Sequence, residues 1–254
     1  MREVVDSIPV LVARPDPAVD RRRLAIWLPY FTGTKEAMAP TLERLARRGF
    51  TALSLDPWQH GERGTETGDE LSGRVFAGFR RGMWPILGQT TLDALRVLDW
   101  AIDQFEVSAD VVAGGISMGG DISVALAGAD HRVRRVAAVV ATPDWTRPGM
   151  ASIADASEVL DQGEPSGYAA WLYRALDPMT NLARFTHGPA IRFELGAADT
   201  HVPPHSAFAF VDALRAVAPL AADRVQVIAH EGMGHLDAAR DETVLAAAIT
   251  WLAE

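Results

Sequence analysis

The stretch Ala113-Gly114-Gly115-Ile116-Ser117-Met118-Gly119-Gly120 constrains this chain more than any other. It places a serine inside Gly-x-Ser-x-Gly, directly after the run Asp110-Val111-Val112-Ala113-Gly114 and directly before Ile122, Val124, Ala125, Leu126 and Ala127. The first run reads as a short buried strand and the second as an apolar helix. A chain that passes from strand to helix over so few residues turns sharply, with the serine at the apex in strained backbone. Gly115 and Gly119 leave room where a Cβ would make strand and helix collide. Such a turn lifts the Ser117 Oγ above the strand end. It also aims the Met118 N–H at the same point, among the unpaired amides of a helix N-terminus that favour negative charge. A glycine-rich turn whose serine merely caps the helix has the same local pattern, so partners elsewhere in the chain decide between the two.

Strand and helix patterns alternate along almost the whole sequence. Val4 to Val12 reads as an antiparallel entry hairpin, and Leu24–Leu28 and Phe50–Leu55 as apolar strands separated by a helix over about Lys35–Arg48 that ends at Gly49. Gly64 to Gly82 reads as a surface excursion with one short helix, and a long helix is expected from about Pro85 to Phe105. Beyond the serine come strand Val133–Ala141, strand Ala190–Leu195, helix Ser206–Val217, strand Val225–Ala229 and a closing helix from about Leu236 to Leu252. The alternation predicts an α/β fold with a doubly wound, mostly parallel sheet covered on both faces. One stretch departs from it. Thr142 to Phe185 carries Trp145, Trp171 and Tyr173 with short helices expected near Ile153–Leu160 and Tyr168–Leu176, and an excursion of that length inside a compact domain is usually functional. One domain over 1–254 is therefore expected, with a helical lid insertion at about 143–186.

In an open parallel sheet the site lies outside the carboxyl ends of the strands. Two later strands open into chemistry there: Ala190–Leu195 into Gly196-Ala197-Ala198-Asp199-Thr200-His201-Val202-Pro203, and Val225–Ala229 into His230-Glu231-Gly232-Met233-Gly234-His235. Nucleophile, acid and base then follow in the order Ser117, Asp199, His235, which suits acyl transfer: His235 takes the serine proton and Asp199 holds the imidazole in the needed tautomer. Asp144, after strand Val133–Ala141, is the competing acid. His60 with Arg63 reads as a loop brace, His201 and His205 as groups flanking Asp199, and Asp121 as a carboxylate favoured by the helix dipole.

Composition removes other classes. Cysteine is absent, so disulfides, thiolate metal sites and a cysteine nucleophile are excluded together. A net charge of −9 disfavours nucleic acid and anionic membrane surfaces, and the one basic run, Arg21-Arg22-Arg23, reads as a solvated turn. Lys35 is the only lysine, hence the only candidate for a Schiff base. No segment approaches the ~20 apolar residues of a membrane span, and acids near Met1 stand where a signal peptide needs bases, so a cytoplasmic protein is expected.

The segments that carry chemistry are Gly115-Ile116-Ser117-Met118-Gly119-Gly120, Asp56-Pro57-Trp58-Gln59-His60-Gly61-Glu62-Arg63, Gly196-Ala197-Ala198-Asp199-Thr200-His201-Val202-Pro203 and Gly234-His235. With these the chain resembles an α/β-hydrolase of the dienelactone-hydrolase-like and prolyl-oligopeptidase-like esterase branch, over nearly its whole length. The resemblance implies a fold of about eight strands and hydrolysis of esters or related acyl compounds, with no cofactor and no metal. It departs at Pro29-Tyr30-Phe31, where relatives usually have His-Gly-Phe or His-Gly-Gly; by position Phe31 would give the second oxyanion amide beside that of Met118.

Tyr30, Phe31, Trp58, Trp84, Trp145, Trp171 and Tyr173 are the candidate pocket walls, and an aromatic wall suits an apolar or aromatic acyl or alcohol group. The expected partner is a small acyl substrate, with the chain a monomer or homodimer. Ester hydrolysis is the leading reaction; thioester, lactone, amide and carbon–carbon bond hydrolysis use the same three residues, and a non-catalytic scaffold of this fold would usually lack one of them.

Overall fold

The computed structural model describes residues 1–254. Its centre is an eight-stranded sheet in the order β1-β2-β4-β3-β5-β6-β7-β8. The strands are β1 Arg2–Val5, β2 Ile8–Ala13, β3 Arg23–Leu28, β4 Phe50–Leu55, β5 Val111–Ile116, β6 Val133–Val139, β7 Ala190–Gly196 and β8 Val225–His230. β2 pairs antiparallel with both β1 and β4, and every other neighbouring pair is parallel. The entry hairpin turns at Asp6 and Ser7, both at positive φ, as the tight turn between right-twisted strands requires.

Parallel strands need crossovers, and helices supply them on both faces. They are α1 Ala39–Ala46, α2 Gly68–Phe76, α3 Phe79–Phe105, α4 Met118–Ala129, α5 Gly167–Leu176, α6 His205–Val217, α7 Pro219–Ala222, α8 His235–Arg240 and α9 Glu242–Ala253. Alternation along β3 shows how the faces divide. Leu24, Ile26 and Leu28 enter the larger core, shared with α3, α4 and α6, while Ala25 and Trp27 enter the smaller one beneath α1 and α9. No helix is long and apolar enough to cross a membrane.

Four elements differ from the sequence-based expectation. α3 begins at Phe79, so Pro85 lies inside the helix and not at its start: Phe79, Met83 and Trp84 are buried, and the packing of that first turn outweighs the missing N–H. The closing helix is two helices, because the Asp241 carboxylate accepts from Thr243 N and Val244 N and caps a fresh start at α9. The segment Ile153–Leu160 is not helical; Ala151 and Val159 form an isolated antiparallel bridge. Before α1, Lys35–Met38 is one turn of 3₁₀ helix.

The excursion after β6 is fastened to α3. Trp84 stacks on Tyr173 with ring centroids 4.3 Å apart, and its Nε1 donates to Trp145 O at 2.9 Å. Leu172 of α5 packs at Gly88, where a Cβ would come within 2.8 Å of it. A buried ion pair adds a charged tie: Arg147 Nη2 donates to Asp121 Oδ2 in the first turn of α4, and Thr142 N donates to Asp121 Oδ1 at 2.7 Å.

The tightest packing is at the start of α4. A Cβ on Gly119 would lie 2.1 Å from Leu28 O, and one on Gly115 would lie 2.4 Å from the Gly119 carbonyl carbon. Backbone on both sides leaves no flexible group to yield. Gly119→Ala is therefore expected to destabilise the protein by about 3 kcal/mol or to prevent folding, and urea unfolding of the purified variant measures it.

Candidate active site

β5 ends at Ile116, and Ser117 stands between it and α4 at φ 52°, ψ −117°. This is a strained conformation for a residue with a Cβ. The chain on either side over-determines it: Ser117 N donates to Val139 O at 2.8 Å, and Ser117 O accepts from Gly120 N at 2.8 Å and Asp121 N at 3.0 Å. Met118, the first residue of α4, lies in the turn whose amides lack intrahelical partners.

The loops after β7 and β8 are laced to one another. Ala197 N donates to His230 O and Ala198 N to Met233 O, each at 2.9 Å, which sets Asp199 beside the start of α8. Asp199 is 3% exposed, and its carboxylate is fully engaged. Oδ1 accepts from His201 N at 2.9 Å and Val202 N at 2.8 Å, and Oδ2 accepts from His235 Nδ1 at 2.7 Å. Because a carboxylate only accepts, the proton sits on Nδ1, and Nε2 offers its lone pair to the Ser117 hydroxyl, with Oγ 3.2 Å away. Ser117, His235 and Asp199 thus form one continuous hydrogen-bonded relay from three strand ends.

The other sequence candidates lie elsewhere. Asp144 caps its own turn, accepting from Thr146 N at 2.9 Å and Thr146 Oγ1 at 2.6 Å. Asp121 is fully buried with Arg147 behind Ser117, and burial pushes its carboxyl up against the pull of that guanidinium. His60 braces the loop after β4 through Nδ1 to Trp58 O at 2.9 Å, and burial holds its pKa below the ordinary value. Arg63 ties the same loop to Asp93 of α3 at 2.7 Å. Lys35 is 1% exposed amid Asp56, Glu62 and Glu36; burial opposes its charge, but the hydrogen bonds to these carboxylates prevail and raise its pKa well above normal. His205 opens α6 and is exposed, whereas His201 is buried, with its ring edge-on to that of His235 at 5.1 Å. No three His, Asp or Glu side chains converge as metal ligands would.

A cleft of about 390 Å³ opens over Ser117 and His235. Tyr30 and Phe31 line it, at a turn closed by Gly33 N to Tyr30 O at 2.9 Å, with Thr32 at φ 66°. None of the tryptophans proposed as walls does. Trp84 and Trp145 are buried in the core, where the Trp84 indole donates to the Trp145 backbone carbonyl and stacks on Tyr173, Trp58 lies under the Arg63 guanidinium, and Trp171 is 54% exposed on α5. The cleft is closed instead by Ser72 and Phe76 of α2, Ile153 of the excursion, Ile116, His201, and Leu236, Ala239 and Arg240 of α8. Ser72 and Phe76 stand four residues apart on one face of α2, a spacing the sequence displayed without indicating what the face would meet. A larger groove of about 890 Å³ between β2 and α1 is lined by none of the candidate catalytic residues.

Burial, and next the charge of Arg147, lower the His201 pKa from 6.5 to about 4. The unfolded chain therefore binds this proton first, and His201 lends stability that is complete above about pH 6.5 and lost as the pH falls toward 4. Asp177 acts in the opposite sense, since burial raises its pKa to about 6 and the folded state takes up its proton first. Comparison with His201→Phe cancels Asp177. The stability of the protein relative to that variant should fall by on the order of 3 kcal/mol between pH 7 and pH 4, read from urea titrations at the two values.

Solved structures share this architecture. TT1662 from Thermus thermophilus superposes with a TM-score of 0.72 at 22% identity, over 99% of this chain and 95% of that one. Est1E from Butyrivibrio proteoclasticus, solved with ferulic acid bound, gives 0.66 at 17% identity over 99% and 97%. Esterase 2 from Thermogutta terrifontis, solved phosphonylated by sarin, gives 0.61 at 16% identity over 99% and 91%. No curated protein sequence matches significantly. The family model of the prolyl oligopeptidase family matches residues 68–254, which include Ser117, Asp199 and His235. The chain belongs to the prolyl oligopeptidase family and has the fold of the α/β-hydrolase superfamily.

Proposed function

We propose that this protein is a serine hydrolase that cleaves carboxylic esters of small to medium, largely apolar substrates through an acyl-enzyme. The observation that carries the reading is the relay of Asp199 Oδ2 to His235 Nδ1 at 2.7 Å and His235 Nε2 to Ser117 Oγ at 3.2 Å, at the floor of a cleft. Ser117 Oγ attacks the acyl carbon as its proton passes to His235 Nε2, and Asp199 stabilises the imidazolium that results. The C–O bond then breaks, His235 returns the proton to the leaving alkoxide, and the acyl group stays on Ser117. Water repeats the sequence and releases the acid.

Negative charge on the acyl oxygen needs donors. The Met118 N–H at the start of α4 and the Phe31 N–H in the facing turn are the proposed pair, each contributing a factor of about 10² to 10³. Tyr30 beside it lines the cleft as well. Phe31, Phe76, Ile116, Ile153 and Leu236 make most of the wall apolar, which supports uncharged acyl chains over charged ones.

A fluorophosphonate probe and a series of p-nitrophenyl esters from acetate to dodecanoate test this. Labelling of the wild type is expected at Ser117, with turnover concentrated in the short and medium chains. Ser117→Ala should lose the label and lower kcat/KM by a factor of at least about 10³; a variant that still labels overturns the nucleophile. Asp199→Asn should keep the fold and lower kcat by up to about 10⁴, because the amide favours the wrong tautomer of His235.

A further inference from the structure

His201 touches both the acid and the cleft. Its backbone N–H donates to Asp199 Oδ1 at 2.9 Å, and its ring lies 5.1 Å from that of His235 and 5.8 Å from that of Phe76. The side chain is only 5% exposed, yet it lines the cleft over Ser117. Its Nδ1 is 2.9 Å from Ala151 O, a contact supplied by the excursion. A carbonyl oxygen only accepts, so Nδ1 carries the proton and Nε2 carries the lone pair. Nε2 makes no hydrogen bond within the protein, and with Nδ1 committed it is the one polar atom that His201 can offer the cleft.

The sign of that offer is fixed. Burial and the Arg147 charge keep the ring neutral at ordinary pH, so Nε2 accepts and does not donate. Tyr30, Thr32 and Ser72, the hydroxyls that also line the cleft, can rotate to give or to take a hydrogen bond, and Arg240 only gives. The Phe76 ring beside His201 and the other apolar lining residues, Phe31, Ile116, Ile153 and Leu236, offer no acceptor in its place. An acceptor in an apolar wall is left unpaired by a substrate that lacks a donor, and a carbonyl or ether oxygen placed there is repelled.

We propose that His201 sets specificity: the cleft selects esters whose acyl or alcohol part carries a hydroxyl or N–H that donates to His201 Nε2. The inference rests on the ester-hydrolase reading above and names the substrate class within it. A histidine kept only for packing would show no such preference.

The experiment compares matched esters by pH-stat. On the acyl side these are methyl 3-hydroxybutanoate, methyl 3-methoxybutanoate and methyl butanoate; on the alcohol side they are 2-hydroxyethyl, 2-methoxyethyl and propyl butanoate. The methoxy compounds keep the oxygen and remove the donor. In the wild type, kcat/KM for the hydroxyl compound should exceed that for its methoxy partner by about tenfold or more in one arm, and that arm tells which side of the ester meets His201. In His201→Phe the ratio should fall to about one. The ratio is internal to each variant, so a general loss of activity does not imitate the result. Should His201→Phe not fold, His201→Gln is read the same way: its NH₂ group can donate to the methoxy oxygen, and the ratio should drop. A wild-type ratio near one in both arms, with all esters turned over, overturns the role of His201 and leaves the ester reading standing. A high ratio that survives in His201→Phe also overturns it. Absence of turnover together with absence of fluorophosphonate labelling overturns both.

Discussion

The close packing of the start of α4 against the ends of β3 and β5 is the constraint on which the geometry at Ser117 depends. Gly119 meets the Leu28 carbonyl with no room for a methyl group, and Gly115 meets Gly119 in the same way. With β5 and α4 in such contact at Gly115 and Gly119, the residue between them has no ordinary conformation, and Ser117 stands at φ 52°. The same contact holds the end of β3 beside α4, and in the turn that follows Tyr30, Phe31 and Thr32 line the cleft over Ser117. One packing constraint thus bears on both Ser117, the proposed nucleophile, and the turn that faces it.

Strain recurs along that edge of the sheet. Thr32, Gln59, Val140 and Arg147, like Ser117, have positive φ, and all follow the carboxyl ends of strands. β-Branched Thr32 and Val140 are the costliest of these. Conformations of this kind persist only where surrounding structure outweighs them. Buried charge supplies that here: Asp121 with Arg147 holds the excursion to α4, and Asp56 with Lys35 and the amides of Lys35 and Glu62 holds the loop after β4. These pairs are poor contributors to net stability, since desolvation offsets much of their attraction, but breaking one leaves a naked charge. Their effect is to make the loop geometry singular.

What the sequence revealed follows from the range of the interactions involved. The eight strands and the convergence of Ser117, Asp199 and His235 were legible because periodicity and a short motif encode them locally, and strand ends of a parallel sheet meet on one side. Trp84, Trp145 and Trp171 were misplaced because an aromatic residue in a loop signals burial without direction; the Trp84 indole found Trp145 O and Tyr173, a partnership formed only when α3 and the excursion pack. Pro85 misled in the same way. Its preference for a first helical turn is local, while the burial of Phe79 and Met83 that extends α3 backwards is not. Ile153 and Ser72 carried no signal at all, since each is ordinary in its own segment.

The loop after β7 joins reactivity to selection. Within the four residues 199–202 it supplies the Asp199 carboxylate, the two amides that saturate one oxygen of it, and the imidazole that enters the wall of the cleft. Asp199 Oδ1 is held by the very backbone that carries the His201 ring, and that ring is pinned from the other side by Ala151 of the excursion. A displacement of the excursion therefore reaches Asp199 through His201, and from Asp199 passes to the orientation of His235. The His201 ring in the cleft wall and the carboxylate that orients His235 thus share one short segment of chain. On the proposed roles selectivity and rate are coupled at His201, because a shift of that residue also bears on the carboxylate that accepts from His235.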